Sequence, residues 1–490
     1  MNRWQLRIGL FLCSCGFVLA LTGFAIAQKG FAISQNGDGH EKLAVQIAKS
    51  VERATAEFIQ IPGPNPILTS GSGWDSSVVE AADLIKDHHK YYLYYHAVGG
   101  GGSYQLGVAI ADHPLGPWKK YEGNPILEVG PEGSWDDMHV ACAYIIKEKA
   151  DKFYMWYSGK GSGRDKELGR NVWDIGLATA SSPVGPWKKV EQNPIMKDFG
   201  YVGGVVKHPT DKQYYLYVAH VIGSTGPDYS PMALAIANKP EGPYDQYEGN
   251  PILKEGSWGS WDDGGFSEAE VYYQGGAFHM FYGGTKLHPT RISSQESIGY
   301  AYSFDGKHFT KHPKNPVAIR EMQPNGEAFA EVHAYQEGPL IYLLHTLRYG
   351  PGQGYRTGHE DLGIQVLATQ RPFKVRMPIL IKDSVEPGKR TSLGDCKPLC
   401  LDNITNVALT FEAKYGAQAE PLTIHVKSSF DGITYDTIDK DTFVIPALAG
   451  QEVRQTFEVS PNVKHIKVEV ENPDNADAIS NVSVYATVGG

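Results

Sequence analysis

The chain has 490 residues, with 55 acidic against 45 basic side chains and a formal net charge of −10. Nucleic-acid binding needs a basic footprint, so this balance excludes it as the main partner class. The length supports two to four domains with real cores, and the 55 Gly, 30 Pro and 28 Tyr point to an all-β protein with many turns.

In chain order, residues 1–27 read as an export signal: Arg3 and Arg7, an apolar run, then Ala25-Ile26-Ala27. The reading places the protein outside the cytoplasm, secreted or periplasmic. The alternative is an anchor, since the run from Ile8 to Ala27 is long enough to stay in a membrane uncleaved. No later segment predicts stable membrane insertion. Residues 28–58 form an N-terminal segment in which Leu43, Ile47, Val51 and Phe58 share one face of a short helix, expected to lean on the propeller.

That propeller is predicted by residues 59–382, which repeat. Asn-Pro with two apolar residues recurs as "NPIL" at Asn65, "NPIL" at Asn124, "NPIM" at Asn193, "NPIL" at Asn250 and "NPVA" at Asn315, with a relic "MPIL" at Met377. The spacings are 59, 69, 57, 65 and 62 residues. Each unit reads as four short strands, exemplified by "VVEAADLI", "KYYLYYHA", "LGVAIA" and "WKKYEGNPIL". A fixed period of about 60 residues with four strands per period predicts a five-bladed β-propeller, and a large sandwich would not explain it. Residues 383–395 are a polar linker. Residues 396–490 alternate with period two and predict a small C-terminal β-sandwich, either a carbohydrate-binding or a purely stabilising module. Cys142, Cys396 and Cys400 survive removal of the signal. The last two either close a small disulfide or remain free thiols in the linker.

The phrases "GPWKKYEGNPIL" and "KYYLYYHA...LGVAIA", carried round five repeats, resemble the propeller glycoside hydrolases of families 43, 32 and 117 over roughly residues 60–380. The resemblance implies carboxylates on the innermost strands pointing into a central funnel, a carbohydrate substrate and a hydrolase of O-glycosyl bonds in plant or algal polysaccharide. Such cleavage needs a proton for the leaving oxygen and a second carboxylate for water or the sugar carbon.

Aligned on the second strand of each repeat, Glu268 lies 12 residues before Met280 and Glu331 lies 12 before Leu343. The equivalent positions elsewhere are Ala81, Cys142 and Gly204, so acids occupy only the fourth and fifth repeats. Glu268 resembles the family's general acid, although Ala-Glu follows it where family 43 has Gly-Pro. Phe266 and Glu270, two residues to either side, are expected on its strand face to raise its pKa. The family's "DP" aspartate is missing at Ala81. The base is then Asp83, Asp75 or Asp137, or Glu331 works opposite Glu268. Trp74-Asp75, Trp135-Asp136-Asp137 and Trp261-Asp262-Asp263 precede inner strands. They read either as substrate contacts (Asp75, Trp135, Asp263) or as turn-capping Asp beside packing Trp. His139, Glu270 and His333 are further candidates for sugar hydroxyls or proton handling. No cofactor is called for, and a structural or funnel metal ion is compatible with the pattern. Two rival readings stand beside hydrolysis: a non-catalytic carbohydrate-binding propeller, and a propeller glycoside phosphorylase. Oligomeric state is not legible.

Overall fold

The computed structural model describes residues 37–100, 102–163, 167, 172–219, 231–286, 296–319, 331–348 and 360–490. The expected export signal, residues 1–27, lies outside these residues. The chain divides into two compact units, one ending at Ala56 and one spanning Glu57–Gly490. The described part of the first is a single helix, Gly37–Ala54. It carries Leu43, Ile47 and Val51 but stops before Phe58. That ring belongs to the second unit, packed on Phe281, Tyr300 and His312. No helix among the described residues is long and apolar enough to cross a membrane.

The second unit is all β. Its repeats form antiparallel four-strand sets. The first is Val78–Asp87, Lys90–Val98, Gln105–Ala111 and Lys119–Lys120. The second is His139–Lys149, Lys152–Lys160, Asp174–Ala180 and Lys188–Lys189. The third begins at Tyr201–Lys207 and the fourth at Phe266–Gln274. The fifth has His333–Glu337, Leu340–Arg348 and Glu360–Ala368, and its outermost strand is Ile59–Pro62, from the other end of the unit. Each set's first strand packs beside the first strand of the next, and the fifth set's beside that of the first.

The repeated Asn does one job throughout. Its side-chain oxygen accepts a third-strand N–H: Val108 for Asn124, Leu177 for Asn193, Leu234 for Asn250 and Tyr300 for Asn315. Asn65 does this for Ile364, so the first "NPIL" completes the fifth repeat. Met377 is no relic of the repeat. It lies in Lys374–Val385, which pairs with the last strand, Ile479–Gly489.

Lys374–Val385 opens the C-terminal sandwich. One sheet runs in the order Lys374–Val385, Ile479–Gly489, Asn406–Lys414, Glu452–Val459, and the other is built on His465–Asn472 and Leu422–Ser429. Buried and solvent-facing residues alternate along Asn406–Lys414, as a half-buried strand requires. The core is continuous with that of the first and fifth repeats, running from Leu93 and Ile364 through Phe373 to Val484. Cys396 and Cys400 are both buried free thiols, so no disulfide joins them. The Val468 N–H donates to Cys396 Sγ at 3.2 Å, which gives that sulfur a packing role.

Candidate active site

Four of the five first strands break register with their neighbour, between Ala81 and Asp83, Ala141 and Tyr144, Val202 and Gly204, and Phe266 and Ala269. These breaks fall at or beside the positions aligned by sequence. Cys142 (φ 47°) and Glu331 (φ 53°) hold left-handed backbone there, and Gly204 (φ 151°) lies at the edge of that region. A bulge inserts an extra residue and re-aims its side chain. Non-glycine residues at positive φ cost roughly 1–3 kcal/mol and persist only where their surroundings fix them.

The bulges gather acids from different strands. Cys142 Sγ donates to Glu268 Oε1 at 3.3 Å. Burial, followed by the charges of Glu268, Glu331 and Glu80, pushes the Cys142 thiol far above its usual range. Glu268 is thus in contact with the sulfur, and Glu331 and Glu80 act on it through their charge. Glu80 Oε2 lies 2.9 Å from His96 Nε2. Thr346 Oγ1 donates to Glu331 Oε2 at 2.5 Å. Glu80, His96 and Glu331 place one polar side-chain atom each within 4.8 Å of one another.

Behind Glu268 lies a second layer. His333 Nε2 is 4.0 Å from Glu268 Oε2, and His333 Nδ1 is 2.9 Å from Glu270 Oε2. Asp83 accepts backbone N–H groups from Leu84 and Ile145, both at 2.7 Å. Burial is the main force on all three groups. It raises the carboxyls of Asp83 and Glu270 well above the carboxylate range and lowers His333 to about 4. Around the sulfur stands an apolar wall of Val78, Tyr104, Ala141 and Trp173, with Tyr201 packed on it. His139 joins this wall, stacked on Trp173 and accepting the Tyr104 N–H at 3.2 Å. His139 thus lines the same region as Cys142.

Other expected site residues sit elsewhere. Asp75 is paired with Lys120, and Trp74 stacks on Tyr95 with ring centroids 5.8 Å apart. In the second repeat, Asp136 accepts from Lys189 Nζ at 2.6 Å and from Tyr157 Oη at 3.2 Å. Trp135 lies over Tyr157 at 5.7 Å. In the fourth, Lys311 reaches Asp262 at 2.5 Å and Trp261 stacks on Tyr282 at 5.7 Å. Each Trp also covers a third-strand glycine. A Cβ on Gly176 would lie 2.4 Å from Tyr157 Cζ and 2.7 Å from the Trp135 ring. Each Trp-Asp pair is thus packed and ion-paired within its own repeat, and that is where the structure places Asp75 and Trp135, expected as substrate contacts.

Asp137 takes the Gly133 N–H at 2.7 Å and the Ser162 N–H at 2.7 Å, which hold its carboxyl below its usual value. Asp263 accepts the Gly259 N–H at 2.7 Å in the same way. Both close turns, and the structure gives Asp137 turn partners, Gly133 and Ser162. Phe266 is also displaced from its expected place beside the acid. The bulge between it and Ala269 turns its ring into the repeat core, edge-on to Tyr282 at 5.0 Å. Glu80, His96 and Thr346 join the cluster without having been singled out as site residues by sequence. We expect Asp136→Ala to cost roughly 1–3 kcal/mol in denaturant unfolding, because it strips Lys189 and Tyr157 of their acceptor. Specific activity per folded molecule should be unchanged.

No family model matches the chain. The extracellular endo-α-(1→5)-L-arabinanase 2 of Bacillus subtilis (strain 168) is 27% identical over 193 residues, which cover 37% of this chain and 38% of the relative. The matched segment thus spans under two-fifths of that relative's length. Similar solved structures include a family 117 glycoside hydrolase from the marine bacterium Zobellia galactanivorans (14% identity, 65% of this chain, 92% of that one, TM-score 0.45). A thermostable family-43 glycoside hydrolase is similar at 18% identity, covering 61% of this chain and 91% of its own, with a TM-score of 0.42.

Proposed function

We propose that the protein is an exported glycoside hydrolase whose five repeats form a β-propeller and whose acids cleave glycosidic bonds in plant or algal polysaccharide. The observation that carries this reading is the convergence of Glu268 and Glu331, from the fourth and fifth repeats, on the single thiol of Cys142. The packing of each first strand on the next, with the fifth beside the first, supports the propeller. The arabinanase similarity supports a carbohydrate substrate.

In this reading Glu268 is the general acid. Its buried position disfavours early ionisation. Glu331, oriented by Thr346, works opposite it on the water or the sugar carbon. Asp83 has both oxygens taken by backbone N–H groups and is left in a supporting role.

The test is turnover by the full chain on arabinans, arabinosides, xylosides, galactosides and galactans, with and without inorganic phosphate. Release of reducing sugar without phosphate supports hydrolysis. Retained polysaccharide binding with no product on any member would replace it with the non-catalytic reading. Release only with phosphate would make the protein a phosphorylase.

A further inference from the structure

We propose that Glu270 and His333 form a neutral hydrogen-bonded pair behind Glu268, in which the Glu270 carboxyl O–H donates to His333 Nδ1 and the ring presents its Nε2–H to Glu268. The inference rests on the reading of Glu268 as general acid and assigns two positioning residues to it. Neither touches the substrate; both act through Glu268.

The geometry sets the line. Glu270 Oε2 and His333 Nδ1 are 2.9 Å apart, and Glu270 also accepts the backbone N–H of Ala334, so its carboxyl is fixed to the fifth repeat. His333 is 1% exposed and Glu270 3%. A carboxyl so deeply buried is favoured in its neutral form, because ionisation there is opposed by lost hydration. In the proposed pair the protonated Glu270 is the donor to Nδ1, which places the imidazole hydrogen on Nε2. Nε2 has no hydrogen-bond partner among the described residues and faces Glu268 Oε2 across 4.0 Å.

This arrangement serves the moment of proton transfer. As Glu268 protonates the glycosidic oxygen, its own O–H bond breaks, an O–H bond forms on the leaving alcohol, and negative charge appears on Glu268. Two neutral donors then meet that charge, Cys142 Sγ–H at Oε1 and His333 Nε2–H at Oε2. The 4.0 Å gap is of the kind that tightens only when the charge develops. Neutrality matters because a permanent imidazolium would hold Glu268 ionised before substrate arrives. The other titratable groups facing His333 are Asp83 and His96 from the first repeat and Glu331 beside it in the chain.

The experiment is nitrogen-15 NMR of the full chain labelled at histidine, in the absence of substrate, with His333 assigned by sequential correlation in the unmodified protein. Two-bond nitrogen–proton couplings at neutral pH should show the proton on Nε2. Glu270→Gln, whose amide N–H still donates to Nδ1, should keep that tautomer, whereas Glu270→Met should move the proton partly or wholly to Nδ1. A Nδ1–H tautomer or a doubly protonated ring in the unmodified chain would overturn the pair, and that measurement stands even where Glu270→Met does not fold. On a substrate from the panel, Glu270→Met should lower kcat roughly tenfold or more with KM nearly unchanged, and Glu270→Gln should restore it. Equal kcat in both variants would also overturn the role. The spectrum needs no turnover, so a wrong tautomer leaves hydrolysis standing, and an inert protein leaves the tautomer result standing.

Discussion

Glu268→Gln should lower turnover on substrates with poor leaving groups by roughly 10²-fold or more, the scale of lost general acid catalysis. Glutamine keeps the volume of the side chain and an oxygen to accept from Cys142 Sγ, which now lies 3.3 Å from Oε1. Folding and substrate binding should therefore be nearly intact, and the loss should appear in kcat. Activated aryl glycosides, whose leaving groups need little protonation, should lose much less. The contrast between the two substrate types is the measurement. An equal loss on both would move the acid role to Glu331, the other carboxylate beside the thiol. Full activity on both would remove Glu268 from the mechanism.

Geometry decides which parts of this site were legible in the sequence. The repeat was legible because each Asn must cap one third-strand N–H, and that need writes the same residues at intervals of about 60 positions. The Asn65 copy misled only in its address, since a strand from one end of the unit completes the repeat at the other. Glu268 and Glu331 were legible because equivalent positions could be counted back from the second strands.

His96 was not. The hairpin after Asp87, continued without interruption, would set Glu80 opposite Ala97. The bulge between Ala81 and Asp83 shifts the ladder by one and brings His96 opposite instead. A one-residue slip also reverses the facing of a side chain, which is how Phe266 leaves the acid for the core while Glu270 reaches His333. Nothing in local composition announces such a bulge when the inserted residue is Ala, Cys or Glu. The Trp-Asp pairs posed the opposite problem. Their repetition invited a functional reading, yet the third-strand glycines in "LGV", "IGL" and "IGY" were the signal that an indole lies over that strand.

Stability should rise from about pH 4.5 to a maximum near pH 6 and fall as pH rises above about 6.5, and buried histidines and carboxyls set that shape. Asp83 and Glu270 have raised values in the fold, so the native state holds protons that the unfolded chain has already released. Their stabilisation is complete below the ordinary carboxylate values and is lost as pH rises toward the folded ones, at about 1.4 kcal/mol per pH unit for each proton. His333, lowered to about 4, and His345, lowered to about 3, act the other way, both through burial. Below about 6.5 the unfolded chain takes up protons that these two rings refuse until pH 4 or lower. His96, His113 and His465 are lowered by burial as well, so on the acid side the histidine slope exceeds that of the two carboxyls and stability falls as pH drops. Above about 6.5 the unfolded histidines are neutral too, and only the carboxyl slope remains. Thermal or denaturant unfolding across about pH 4.5 to 9 reads the curve directly. Glu270→Gln removes one of the two ionising carboxyls while keeping its hydrogen bonds, so it should halve the alkaline slope and steepen the fall in stability toward acid. An alkaline limb with the same slope in Glu270→Gln would mean that Glu270 is already ionised in the fold, and the neutral pair with His333 would fall with it.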